Sequence, residues 1–193
     1  SGDEPKADEL PNGNIIISSR TSGGRIYNIY TFTNVTTGEG SWGTPAWSNA
    51  NNNGTVAVSN STNGEIMFLP VTRKDNKNMY LMLQSVPFGS GRTNVGIYYK
   101  ELESLEDFVN ADSIAKNWDG SHQASYLGSA YSTMCWQADN TLAFVYEEET
   151  HSNASRGGYT IVYKNYSIEQ ITDSAYTYNP QAKAHDVVKA GID

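Results

Sequence analysis

The sequence predicts an all-β fold built from short antiparallel strands. Asn, Ser, Thr, Gly and Tyr are frequent, and this balance favours strands and turns over helices. Strand-like runs alternate with turn signals along the 193 residues, and Asn12-Gly13 and Asp139-Asn140 are typical of tight turns. Many short strands at such spacing indicate a sandwich, a barrel or a propeller.

The individual strands follow from this alternation. Residues 14–20 and 25–33 flank Ser22-Gly23-Gly24 and are predicted to form a hairpin. Further strands are predicted at 55–58, 65–71, 79–86, 94–100, 130–137, 141–148 and 159–164. Residues 104–115 interrupt the pattern with one or two helical turns, because Ser104 and Asp107 have the spacing of a capping box.

Composition and charge exclude several classes of function. A net charge of −8 argues against a nucleic-acid partner and means that any anion site must depend on local arginines. Apolar runs such as 15–17 are too short to span a bilayer. Cys135 is the sole cysteine, so no intrachain disulfide forms. His122, His151 and His185 lack metal-ligand spacing, so we expect no metal and no cofactor.

Five residues form the candidate site: Glu4, Arg20, Arg92, Tyr131 and Glu147. Taken singly, each also fits an ordinary role, because an arginine at a strand end is often a surface charge and most of the 13 tyrosines pack in the core. Taken together they supply two permanent cations, a phenol and a carboxylate that could accept the phenol's proton.

That combination suits a sugar whose reacting carbon carries a carboxylate, such as sialic acid. A free phenol has a pKa of about 10, so it needs a neighbouring base before it acts as a nucleophile. A neutral phenol approaches the acidic sugar without the repulsion that a carboxylate nucleophile would meet, and glycosidases with a tyrosine nucleophile are the sialidases. Guanidinium groups bind a carboxylate through paired hydrogen bonds.

The contexts of these residues resemble the exo-α-sialidase family. In that family a Glu stands five residues before a Glu-Leu-x-x-Gly turn and sixteen before an Arg, and later come Arg-x-Asn, Tyr-Ser and Tyr-Glu. The matching residues here are Glu4, Glu9-Leu10, Gly13, Arg20, Arg92, Asn94, Tyr131-Ser132 and Tyr146-Glu147. The likeness runs from Gly2 to about Thr172, and the residues around Glu4 and Arg92 look especially like sialidases of gut Bacteroides-type bacteria.

The resemblance implies a six-bladed β-propeller, of which this chain covers roughly the C-terminal four blades. Residues 1–178 would form that part of the propeller and 179–193 a C-terminal tail. Tyr131 would attack the anomeric carbon with Glu4 as its base, giving retention through a covalent sialyl-tyrosine. Arg20 and Arg92 would be the second and third members of an arginine triad, and Glu147 would hold the first member.

The resemblance also implies missing parts. In the family, the first triad arginine and the acid/base aspartate lie upstream of the matching Glu, so no Asp here is assigned that role. Six blades need roughly 240–300 residues, so we expect the N-terminal part of the same propeller as a partner, in this polypeptide or as a separate chain. The expected substrate is a sialylated glycan, and the expected location is secreted, periplasmic or on the bacterial cell surface. A trans-sialidase and a non-catalytic sialic-acid-binding propeller are the alternatives.

Overall fold

The structure is a computed structural model, and it describes residues 2–48, 62–149 and 158–182. In these ranges the chain is built of β-strands with short helical segments, which confirms the predicted fold class. The strands are β1 (Asp3–Glu9), β2 (Ile15–Thr21), β3 (Gly24–Asn34), β4 (Glu39–Trp42), β5 (Ala46–Ser48), β6 (Ile66–Arg73), β7 (Asn78–Pro87), β8 (Val95–Leu102), β9 (Gly120–Gln123), β10 (Ser129–Trp136), β11 (Leu142–Glu148), β12 (Thr160–Tyr166) and β13 (Tyr176–Tyr178). The helices are a 3-10 helix (Leu105–Phe108), α1 (Ala111–Ala115) and α2 (Ile168–Ile171).

The strands of the described residues form three antiparallel sheets. Sheet 1 has the order β1-β2-β3-β4, with β5 also paired to β3. Sheet 2 has the order β13-β6-β7-β8-β9, and sheet 3 has the order β10-β11-β12. The sequence predicted roughly four blades from a length of about 40–50 residues per blade. Sheet 2 spans more residues than the predicted length of one blade. Its strands β6 to β9 extend from Ile66 to Gln123, with the helical segment between β8 and β9.

Turn residues explain where the hairpins close. Gly13 has φ of 88° in the turn between β1 and β2, and Gly23 has φ of 78° between β2 and β3. Asn140 adopts φ of 63° between β10 and β11, a conformation that Asn tolerates better than most residues. The predicted turns at 12–13 and 139–140 are therefore confirmed.

Most predicted strands agree with the structure to within two residues at either end. The prediction at 55–58 lies outside the described residues. Strand β1 was not predicted, because its sequence, Asp3–Glu9, is mostly charged and lacks the apolar alternation of a half-buried strand. Strands β4, β5, β9 and β13 and helix α2 were also not predicted. Each of these elements is only three or four residues long.

The helical segment between β8 and β9 begins as predicted. The Asp107 carboxylate accepts a hydrogen bond from the Ser104 backbone N–H at 2.9 Å, which is half of a capping box. The Asn110 side chain caps α1 by accepting from the Ser113 N–H at 2.9 Å. Phe108 and Ile114 are fully buried, so this segment closes the core between sheets 1 and 2.

Sheet 2 lies between the other two sheets and buries both of its faces. Along β7, Met79, Leu81 and Leu83 pack in the cluster shared with sheet 3. Met82 and Val86 pack in the cluster shared with sheet 1. The near-continuous apolar run of β7 follows from this position, because a strand buried on both faces has no solvent side.

A polar network is buried between sheets 1 and 2. The Gln84 side-chain oxygen accepts hydrogen bonds from Ser18 Oγ at 2.9 Å and from the Tyr27 hydroxyl at 2.8 Å. Arg25 is 1% exposed and donates to Ser18 Oγ and to the backbone oxygen of Thr62. These hydrogen bonds favour one packing of the two sheets, because a shift of one sheet along the other would leave a buried polar atom unpaired.

The packing of sheet 2 predicts a large effect of a small substitution. Leu81→Ala is expected to lower the free energy of unfolding by about 2–5 kcal/mol, because it leaves a cavity among buried side chains. Urea denaturation followed by circular dichroism measures this loss. Leu105→Ala is the matched control, since Leu105 is 40% exposed. Equal destabilisation by both variants would contradict the position of Leu81 in the core.

Candidate active site

A phenol, a carboxylate and a guanidinium meet where sheets 1 and 3 approach each other. The Tyr131 hydroxyl donates a hydrogen bond to Glu4 Oε1 at 2.9 Å. Arg20 Nη1 donates to the Tyr131 oxygen at 3.0 Å and to Glu4 Oε2 at 3.1 Å. The three side chains therefore form a closed triangle of hydrogen bonds between β1, β2 and β10. Glu4 and Tyr131 are 127 residues apart in sequence.

Glu4 reaches this position through a bulge in β1. Asp3 pairs with Arg20 and Lys6 pairs with Ser18, so Glu4 and Pro5 together oppose a single residue of β2. Pro5 has no N–H to give to a strand ladder, which suits a bulge on an edge strand. Glu4 has φ of 45°, a left-handed conformation that is uncommon outside glycine. The bulge directs the Glu4 side chain away from the regular pleat toward Tyr131.

Tyr131 also lies in a bulge. Ser129 pairs with Glu148 and Ser132 pairs with Tyr146, so two residues of β10 oppose Glu147 alone. The Glu147 carboxylate accepts a hydrogen bond from the Tyr131 backbone N–H at 3.1 Å. A side chain thus satisfies an amide in the part of the ladder that the bulge disrupts.

Arg92 approaches Tyr131 from the loop before β8. Its guanidinium carbon lies 5.3 Å from the centroid of the Tyr131 ring, which is a cation–π contact. Its backbone oxygen accepts from the Ser129 N–H at 2.8 Å, and Thr93 forms an isolated bridge with Gly128. These backbone contacts fix the loop of sheet 2 to the start of β10. The Arg92 side chain itself is exposed.

The hydrogen bonds and charges of the cluster favour the ionised form of the Glu4 carboxylate. Partial burial raises the pKa of Glu4, but hydrogen bonds from Tyr131 and Arg20 and the charges of Arg20 and Arg92 outweigh it, so the net pKa is lowered. The hydrogen bond to Glu4 raises the pKa of Arg20. Glu4 is therefore a negative hydrogen-bond acceptor at neutral pH, directed at the phenolic proton.

This arrangement has the geometry of an activated nucleophile. The phenolic hydrogen already points to the base that would remove it, at a distance suited to proton transfer. Arg20 donates to the same phenolic oxygen, which would stabilise negative charge there as the proton leaves. The structure thus brings all five predicted residues, Glu4, Arg20, Arg92, Tyr131 and Glu147, into one site. Their roles in a reaction stay predictions.

The sequence did not reveal the groups that surround this site. Arg25 on β3 lies opposite Arg20 on β2, and its guanidinium is a buried cation. Glu65 and Thr133 form a hydrogen bond next to the site. Thr133 could have been found from its position two residues after Tyr131, because every second side chain of a strand lies on the same face.

An open pocket of about 230 Å³ adjoins the site. Tyr131 and Glu147 form part of its wall, and the apolar side chains of Val145 and Ile161 form another part. Tyr131, Glu147, Val145 and Ile161 all belong to sheet 3. No helix in the described ranges is long and apolar enough to cross a bilayer.

Several solved structures resemble this chain in fold, among them the following two. One is an intramolecular trans-sialidase from Ruminococcus gnavus in complex with oseltamivir carboxylate, with a TM-score of 0.60 and 18% identity. It is matched over 87% of this chain and 33% of its own length. The other is the NanB sialidase from Streptococcus pneumoniae, with a TM-score of 0.64 and 18% identity over 87% of this chain and 24% of its own.

These likenesses show the fold. The described residues have the fold of part of the propeller in these two sialidase structures, and the chain spans a third or less of the length of each. No protein-family model matches the chain, and no curated protein matches it.

The electrostatics of Glu4 predict a pH-dependent contribution to stability. The folded-state pKa of Glu4 is lower than its ordinary value of 4.5, so its contribution is fully present above that value. That contribution is lost as the pH falls through the lowered folded-state pKa. We therefore expect Glu4→Gln to reduce the melting temperature at pH 7 and to approach the parent protein toward pH 3.

Differential scanning calorimetry across this pH range measures the difference between the two proteins. Glu39→Gln, which removes a carboxylate from the exposed edge of sheet 1, controls for the loss of one surface charge. A Glu4→Gln difference that stays constant from pH 7 to pH 3 would show that Glu4 is not held ionised by its neighbours.

Proposed function

We propose that this chain is the C-terminal part of an exo-α-sialidase that removes terminal α-linked sialic acid from glycoconjugates with retention. The observation that carries the proposal is the 2.9 Å hydrogen bond from the Tyr131 phenol to the Glu4 carboxylate, supported by Arg20. The similarity in fold to two sialidase structures supports it. The sequence resemblance independently assigns the roles of nucleophile and base to Tyr131 and Glu4.

The reaction would begin at the phenolic oxygen. As this oxygen of Tyr131 bonds to the anomeric carbon, its proton passes to Glu4 and the bond to the leaving glycan breaks. The leaving oxygen takes a proton from a general acid. Water then attacks the sialyl-tyrosine and gives a proton to the conjugate base of that acid, while the phenolate that leaves recovers its proton from Glu4. Two displacements at one carbon give net retention.

The two arginines would hold the substrate carboxylate. The overall charge of −8 repels an anionic sugar, so affinity must come from cations close to the site. Arg92 is exposed beside the Tyr131 ring, and Arg20 of β2 donates a hydrogen bond to the phenolic oxygen. Arg25 adds a further positive charge from the interior.

The complete protein would supply the remaining parts. We propose that the N-terminal part of the same propeller, in this polypeptide or in a separate chain, brings the first triad arginine and the acid/base aspartate. Glu147 would then hold that arginine, since its carboxylate borders the pocket beside Tyr131. We also propose an origin in Bacteroides-type bacteria and a secreted, periplasmic or cell-surface location, where sialylated glycans are accessible.

A trans-sialidase is the second candidate, because one of the similar structures is an intramolecular trans-sialidase. In that reaction a sugar hydroxyl replaces water in the second displacement. Mass spectrometry of the products, with and without an added acceptor sugar, separates the two activities. A non-catalytic sialic-acid-binding protein is disfavoured, because binding alone does not require a phenol hydrogen-bonded to a base.

The nucleophile assignment predicts that Tyr131→Phe in the complete protein lowers kcat by about 10³-fold or more, since the attacking oxygen is gone. Binding should persist, because both arginines remain. A fluorogenic sialoside measures turnover, and calorimetry measures binding. Tyr163→Phe, at a tyrosine 55% exposed on β12, is the matched control and should be unaffected. Turnover by Tyr131→Phe at the parent rate would refute the assignment.

The role of Arg92 predicts a different kinetic signature. Arg92→Ala removes charge-assisted hydrogen bonds worth about 1.5–3 kcal/mol to the substrate carboxylate, so KM should rise about 10- to 100-fold. The effect on kcat should be smaller, since Tyr131 and Glu4 keep their contact. Lys164→Ala, at an exposed cation on β12, is the control. Unchanged KM and kcat in Arg92→Ala would remove Arg92 from the site.

A further inference from the structure

A second cluster of polar side chains connects the strands that carry Glu4 and Tyr131. Glu65 Oε2 accepts a hydrogen bond from Thr133 Oγ1 at 3.0 Å and lies 3.6 Å from Lys6 Nζ. The side chains of Glu65 and Lys6 are 18% and 33% exposed, so the ion pair is partly shielded from water. One carboxylate thus bridges a cation and a hydroxyl from two other sheets.

Lys6 and Thr133 lie on the same two strands as Glu4 and Tyr131. Lys6 follows Glu4 by two residues on β1, and Thr133 follows Tyr131 by two residues on β10. Glu65 immediately precedes β6 of sheet 2. Strands β1, β6 and β10 are the first strands of the three sheets, and β1 and β10 pair with different partners rather than with each other.

The backbone of Glu65 is itself fixed. Its N–H donates to Ser85 Oγ at 2.9 Å, and its carbonyl oxygen accepts from the Ser85 N–H at 2.9 Å. Ser132 Oγ, adjacent to Tyr131, donates to the same Ser85 hydroxyl at 2.8 Å. Ser85 and Ser132 are both buried. Glu65 is therefore anchored on the strand that also holds β10.

We propose that Glu65 is a positioning residue that sets the separation between the Glu4 carboxylate and the Tyr131 phenol. It does so by holding Lys6 of β1 and Thr133 of β10, each two residues beyond a member of the pair. No backbone ladder joins these two strands in the described residues, so their distance is set by the packed core between them and by side-chain contacts such as these. The catalytic consequence rests on the proposed sialidase function, whereas the geometric one does not.

The size of the effect follows from how steeply proton transfer depends on distance. A displacement of about 1 Å between reacting groups costs about 100-fold in rate. Glu65→Ala in the complete protein should therefore lower kcat by about 10- to 100-fold, while KM changes less than about twofold because Arg20 and Arg92 are kept. Glu65→Gln retains an oxygen that accepts from Thr133, so it should recover most of kcat.

A spectroscopic measurement tests the geometry without any assay of turnover. Fluorine placed on the ring of Tyr131 as 3-fluorotyrosine reports the hydrogen bond of the phenol by ¹⁹F NMR. Glu65→Ala should move this resonance in the same direction as Glu4→Gln does. Thr133→Val, which removes one hydroxyl from an exposed position, should give a smaller shift and serves if Glu65→Ala does not fold.

The controls separate this role from a general loss of surface contacts. Glu39 accepts a hydrogen bond from the Thr37 hydroxyl at 3.1 Å, so Glu39→Ala removes a similar pair at the edge of sheet 1. It should leave both kcat and the fluorine resonance unchanged. An unmoved resonance in folded Glu65→Ala would overturn the proposal, even if kcat fell. If the parent protein does not cleave sialosides, the proposed function fails, and the resonance alone decides the role of Glu65.

Discussion

The hydrogen bond from the Tyr131 phenol to the Glu4 carboxylate is the contact on which the candidate site depends. A phenol alone is too weak an acid to act as a nucleophile at neutral pH, and a carboxylate alone at this position would repel an acidic sugar. In the hydrogen-bonded pair, the phenolic O–H points at a carboxylate that can accept its proton. Arg20 completes the arrangement because it donates to both members, so the carboxylate stays charged while the phenolic oxygen is polarised.

Sheet 2 makes that contact possible although it supplies neither partner. Glu4 belongs to sheet 1 and Tyr131 to sheet 3, and each of these sheets packs on one face of sheet 2 through its own apolar cluster. The distance between the two side chains therefore depends on the thickness of a well-packed core, which deforms little. Bulges at Glu4 and Tyr131 then turn both side chains out of the regular pleat and toward each other.

The sequence predicted the residues of the site better than the way they are held. Strands such as β7 were predictable because apolar residues and turn signals delimit them, and Glu4 and Tyr131 were found from their short contexts. Strand β1 was not predictable, because a charged edge strand carries no apolar pattern. The two bulges and the buried Arg25 were also invisible, since each depends on pairing between strands that local sequence does not encode.

The distribution of charge makes the candidate site locally positive in an acidic protein. At physiological ionic strength the field of a surface charge decays over about 8 Å, so distant carboxylates contribute little at the site. Arg20 and Arg92 lie within contact distance of Tyr131, and Arg25 stands across the sheet from Arg20. Because Arg25 is buried, solvent screens its charge less than that of Arg92. Glu4 and Glu147 offset two of these three cations, which leaves a local excess of one positive charge beside the phenol in a chain whose net charge is −8.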